Sequence, residues 1–148
     1  MRQEKINKFD ETQVFQLYAY LVAYEDSGIE KYKSTKAMLS EHPELSDLGE
    51  VGESVKCHKS NAQEMKELNF KSLTNEIYQT KNKQNNVLSF LAHLRNSIAH
   101  GSAVEHDGKV LITDFEHHKY NPTDFTARGC VEFAIINKIT KILNVIEL

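Results

Sequence analysis

A change of period at Gly101 constrains this chain more than any other feature. Ahead of it, Val87, Leu91, Leu94 and Ile98 recur at steps of three and four, which places them on one face of a helix. The spacing predicts a helix over residues 81–99. Gly101 then stands where a left-handed glycine ends a helix. Beyond it the pattern turns short and alternating around Asp107-Gly108, one of the best pairs for a tight hairpin turn. Residues 102–106 and 109–115 read as its two strands. Val110, Ile112 and Asp114 alternate with Lys109, Leu111 and Thr113, so the ribbon is short and apolar on both faces.

The remaining segments read mostly as helix. Over residues 10–25, Val14, Leu17, Tyr18 and Leu21 keep helical spacing, with Asp10 as N-cap and Gly28 as the stop. Residues 29–41 predict a second, more polar helix closed by Pro43. Residues 43–66 carry mixed charge, Gly49 and Gly52, and are read as holding one short helix. Phe70, Leu73 and Ile77 predict helix over residues 70–80. Thr123 is a good N-cap and Asp124 suits the positive end of a helix dipole. Val131, Ile135, Ile139, Ile142 and Ile146 would then carry a last helix, its first turns weakened by Gly129. The expected fold class is all-α: a helical bundle with a small β-hairpin inserted before the C-terminal helix, as one domain over residues 1–148.

Composition narrows the function classes. At 148 residues, 40% hydrophobic and 26% charged, the chain has the makeup of an ordinary soluble domain. No apolar run is long enough to span a bilayer, and the opening residues lack the apolar stretch of a signal peptide. Cys57 and Cys130 match no metal-ligand spacing and are read as free thiols in a reducing, cytoplasmic setting. A net charge of −3 argues against a nucleic-acid binder that uses its whole surface. It leaves room for a local basic site.

Such a site is offered by His93-Leu94-Arg95-Asn96-Ser97-Ile98-Ala99-His100-Gly101. Histidine moves protons near neutral pH, and arginine holds a phosphate with two parallel N–H donors. Arg95, Asn96 and His100 are the catalytic candidates. His93 and Ser97 are the candidates for substrate contact. At helical spacing His93, Asn96 and His100 fall on one side, roughly opposite the apolar stripe, and Arg95 lies nearer its edge. Taken alone, these residues also suit a structural reading, with His100 capping helix carbonyls and Arg95 paired to a surface carboxylate.

The string from Arg95 to His100, with a polar residue after the arginine, resembles the R-x(4–6)-H signature of the HEPN superfamily. The likeness spans residues 70–146, where the helix end, the hairpin and a final helix follow the order seen in that superfamily. It implies an all-α bundle that dimerises, with two copies of the motif forming one composite site. It also implies metal-independent cleavage of RNA to a 2′,3′-cyclic phosphate, in a toxin or phage-defence setting. The implied partners are RNA, a second copy of the chain and an antitoxin protein, with no cofactor, metal or membrane. The alternative is a non-catalytic HEPN-like module that binds a protein partner or a nucleotide in the same groove.

Other features are weaker. His117-His118 lacks a ligand at helical i+4 spacing and is read as a solvated strand end. Lys56, His58, Lys59, Lys66 and Lys71 lean basic but are interrupted by Glu64 and Glu67, and Lys81 and Lys83 add charge before the motif helix. A solvated face explains them more simply than RNA steering. Tyr18, Tyr20 and Tyr24 are read as core and interface residues.

Overall fold

The computed structural model describes residues 8–80, 86–115 and 125–145. Its elements run α1 (Glu11–Ser27), α2 (Thr35–Glu41), α3 (Leu48–Ser54), β1 (Lys56–Lys59), α4 (Ala62–Lys66), β2 (Glu76–Gln79), α5 (Asn86–Ala99), β3 (Val104–His106), β4 (Lys109–Phe115), β5 (Phe125–Glu132) and α6 (Phe133–Leu143). Short 3-10 turns lie at Ile29–Lys31, Pro43–Leu45 and Phe70–Ser72.

The fold is mixed α/β, which corrects the expected all-α bundle. Five strands form one sheet in the order β1-β2-β5-β4-β3. β1 and β2 are parallel, and every other neighbouring pair is antiparallel. The hairpin is therefore one margin of a larger sheet rather than an insert in a bundle. Its turn is as expected: Asp107 and Gly108 both take positive φ, at 51° and 76°, and His106 pairs with Lys109.

One predicted helix turns out to hold a strand, and the first part of another is a strand as well. Residues 70–80 hold a 3-10 turn and then β2, where Ile77 and Gln79 are buried while Glu76 and Tyr78 are half-buried. The apolar residues three and four apart mimicked a helix, but one side chain in two faces the core. The second error lies in the last helix, which starts at Phe133 rather than near Thr123. Thr123, Asp124 and Ile146 lie outside the described residues. Phe125, Ala127, Gly129 and Val131 form the buried phase of β5, a period of two. Gly129 is a requirement of the sheet, not a weak point in a helix. A Cβ there would sit 2.4 Å from the Glu76 carbonyl oxygen and 2.7 Å from Ile77 Cα. Only glycine lets β5 approach β2 that closely.

The first helix matches its prediction. Asp10 accepts from the Gln13 N–H at 2.8 Å and the Gln13 side chain accepts from the Asp10 N–H at 3.0 Å, a reciprocal cap. Gly28 closes the helix at φ 69°. Residues 29–41 split into a 3-10 turn and α2, and residues 43–66 contain α3, β1 and α4. One contiguous core joins Tyr20 and Tyr24 of α1, Leu91 and Leu94 of α5, Ile112 of β4 and Ile136 and Ile139 of α6. α6 lies chiefly against α1, with a second contact to α3. The buried stripe of α6 is Ile136, Ile139, Ile142 and Leu143, while Ile135 is only half-buried.

Candidate functional site

The motif occupies the last two turns of α5. Its end is a double hydrogen-bonded glycine cap: the Ser102 N–H donates to the Ser97 carbonyl at 2.9 Å and the Gly101 N–H to the Ile98 carbonyl at 3.2 Å. Gly101 supplies the left-handed φ of 76° that this geometry needs. The chain is thereby folded back, so that β4 runs alongside α5. Ser97 fastens the two. It is fully buried, and its hydroxyl accepts from the Thr113 N–H at 3.1 Å. Ser97 thus lies inside, between helix and sheet.

His93 and Asn96 converge on Asp114, which is 5% exposed on the inward phase of β4. Asp114 Oδ2 accepts from His93 Nδ1 at 2.8 Å and from Asn96 Nδ2 at 3.1 Å, and Oδ1 accepts from the Phe115 N–H at 3.0 Å. Asn96 Oδ1 in turn accepts from the Arg95 guanidinium at 3.1 Å, and Arg95 Nε donates to Glu25 of α1 at 2.8 Å. The result is a continuous path Glu25–Arg95–Asn96–Asp114–His93. Its ends fix the sense of every member. A carboxylate only accepts and a guanidinium only donates, so the Asn96 amide has one orientation and His93 carries its proton on Nδ1.

The face bearing His93 and Asn96 is turned toward the chain's own sheet, not left to solvent or to a second copy. His100 stands one turn beyond Asn96 and donates its backbone N–H to the Asn96 carbonyl at 3.0 Å. Arg95 also lies near the α1 tyrosines. The buried Tyr20 hydroxyl donates to the Leu91 carbonyl at 2.7 Å. Burial raises the Tyr20 hydroxyl well above its usual range, and the neighbouring Tyr24 adds to the rise. Burial pushes Tyr24 up to about 12, Glu30 adds to it, and the Arg95 charge partly offsets it.

Sequence reasoning missed Asp114 and Glu25 as site residues. A signal existed for Asp114: it is in phase with Val110 and Ile112, and a carboxylate at an inward strand position needs partners. None existed for Glu25, which α1 brings to Arg95 across 70 residues of chain.

A second feature borders the motif. Val14, Leu17, Tyr18 and Leu21 of α1, together with Phe9, Ile98, Gly101 and Ala103, line an apolar groove at the end of α5. Beside it Phe15 and Tyr18 are 73% and 63% exposed. Tyr18 is therefore a surface residue, whereas Tyr20 and Tyr24 are core. The basic-leaning residues lie elsewhere: Lys56 and Lys59 on the edge strand β1, Lys66 on α4 and Lys71 in a 3-10 turn. His58 there is paired to Glu76 at 2.8 Å and stacked on Tyr78. His117, His118, Lys81 and Lys83 lie outside the described residues. Among the described residues no cluster of ligands suits a metal ion, and no helix is long and apolar enough to cross a membrane.

An arginine, an amide and a histidine are thus joined through hydrogen bonds and Asp114 on the last turns of a capped helix. A family model described as HEPN pEK499 p136 matches residues 1–144. The chain belongs to this HEPN family, and the match takes in the first half of the chain as well as the motif half. No curated protein sequence and no solved structure matches it.

Proposed function

We propose that this protein is a metal-independent endoribonuclease whose active groups are Arg95, Asn96 and His100. The observation that carries the reading is the Arg95–Asn96 hydrogen bond, which aims a guanidinium from the same helix end that bears His100. Arg95 would stabilise charge on the phosphoryl oxygens. His100 would take the proton from a ribose 2′-OH. The 2′-oxygen attacks the adjacent phosphorus, the bond to the 5′-oxygen breaks, and that oxygen is protonated by water or by the partner's His100. The products are a 2′,3′-cyclic phosphate and a 5′-hydroxyl.

In this reading the chain works as a two-fold dimer with the Arg95–His100 segments near the axis. The apolar groove and the exposed Phe15 and Tyr18 give such a dimer surface to bury. The same groove favours the second reading, a module that docks a protein partner such as an antitoxin.

The test is cleavage of a fluorescent RNA in EDTA by wild type, Arg95→Ala and His100→Ala, with circular dichroism to verify folding. The expected result is wild-type cleavage without added metal, and a loss of about 10²-fold or more in each variant, the usual size of a proton-transfer or phosphate-stabilising contribution. Unchanged cleavage by His100→Ala would refute the mechanism. An inactive wild type that binds a protein partner through the groove would establish the docking module.

A further inference from the structure

We propose that Glu25 of α1 is a positioning residue of the site: it holds the Arg95 guanidinium by its Nε edge, so that the terminal nitrogens meet the RNA phosphate. The proposal rests on the ribonuclease reading above. It concerns an arginine and a carboxylate of the same chain, and it applies to each copy of a composite two-copy site.

Three observations carry it. First, the guanidinium is held at two different nitrogens. Nε donates to Glu25 Oε2 at 2.8 Å, and Nη1 donates to Asn96 Oδ1 at 3.1 Å. Two anchors on one rigid plane fix its tilt as well as its place. Asn96 is in turn held by Asp114, so one anchor comes from the β4 side of α5 and the other from α1. Second, the helix that carries Glu25 is tied to α5 one turn ahead of Arg95. Tyr20 is fully buried, and its hydroxyl donates to the Leu91 carbonyl at 2.7 Å. Leu91 precedes Arg95 by four residues, and Tyr20 precedes Glu25 by five. A buried cross-helix bond therefore sets where the carboxylate stands. Third, the Arg95–Glu25 pair stabilises the fold little, because both side chains are partly solvated, 32% for Arg95 and 45% for Glu25. What the pair supplies is direction.

That direction suits a phosphate. A guanidinium has five N–H donors and no acceptor. Glu25 takes the hydrogen of Nε, which removes the side edge from a two-point contact. Asn96 takes one hydrogen of Nη1. The second hydrogen of Nη1 and both of Nη2 are the donors that remain for phosphoryl oxygens. An arginine held in this way does not have to be ordered when RNA arrives. Donors already aimed at the phosphate need no reorganisation as charge develops on its oxygens. The partial exposure of Arg95 gives the phosphate access to them.

The test is steady-state cleavage of the fluorescent RNA by wild type, Glu25→Ala and Glu25→Gln, with circular dichroism to verify folding and ¹⁵N spectroscopy of the Arg95 Nε–H. A glutamine oxygen still accepts from Nε, and alanine offers no acceptor. Glu25→Ala should lower kcat about 10- to 100-fold, and Glu25→Gln should recover to within about 3-fold of wild type, as expected when a group is misaimed and then re-aimed. The Arg95 Nε–H should exchange slowly with solvent in wild type and Glu25→Gln, and fast in Glu25→Ala. Unchanged or faster turnover by Glu25→Ala would overturn the proposal, because the carboxylate would then be idle or a competitor of the phosphate. Glu25→Gln as slow as Glu25→Ala would also overturn it, because charge and not aim would be what Glu25 supplies. Both results leave the ribonuclease reading in place. A wild type inactive on RNA would overturn the two together.

Discussion

The two flanks of α5 at its C-terminal end are built on opposite terms. One flank faces β4 and is closed by directional contacts: His93 and Asn96 to Asp114, and Ser97 to the Thr113 N–H. The other faces α1 and is an open groove lined by Leu17, Tyr18, Leu21 and Ile98, with the Arg95–Glu25 ion pair as a separate polar contact between the two helices. Hydrogen bonds fix direction as well as distance, so the β4 flank can hold an amide and an imidazole in one orientation. Apolar contact is non-directional. The α1 flank can therefore accept a second surface without rebuilding the site. One helix end is in this way both a rigid chemical site and an adaptable edge.

The contrast can be broken most forcefully from behind the groove. α1 rests on α6, and Ile139 is fully buried there. Ile139→Ala should cost roughly 2–5 kcal/mol in a denaturant titration, the range for an aliphatic side chain cut back in a closed core. A cost under about 0.5 kcal/mol would mean that the α1 wall does not depend on α6.

A smaller loss is expected on the directional flank. Ser97→Ala takes the hydroxyl acceptor of the half-buried Thr113 N–H out of the seam, which should cost about 1 kcal/mol. If the variant is as stable as wild type, the α5–β4 seam is held by packing and not by hydrogen bonds, and the contrast between the flanks fails.

The smallest effect belongs to the groove itself. Tyr18→Ser removes an exposed ring and should change unfolding stability by less than about 0.5 kcal/mol, while lowering the dimer fraction seen by light scattering at micromolar concentration. Unaltered dimerisation would place the second copy elsewhere and leave the groove for a different partner.

Local chemistry explains which elements could be read from the residues. The Asp10 cap, the α5 stripe, the Gly101 stop and the Asp107-Gly108 turn each depend on neighbours within a few positions. All four are where the residues put them. β2 and β5 do not work that way. Each is a short segment whose apolar residues also fit a helical spacing, and each is a strand because another strand lies beside it. Gly129 shows the limit most sharply: as a local symbol it weakens a helix, but in the sheet it is the contact that seats β5 on β2.

The site divides along the same line. The sequence by itself determined the helix that carries Arg95, Asn96 and His100, its end at Gly101, and the kinship of that string with HEPN proteins, because these are matters of spacing along one element. The tertiary structure alone decided that Asp114 would stand behind His93 and Asn96, that Glu25 would meet Arg95, and that Ser97 would be a fastener. Those pairings join groups between 16 and 70 residues apart in the chain. A buried carboxylate acquires its partners only when the strand bearing it is laid against the helix, and no local periodicity encodes that meeting.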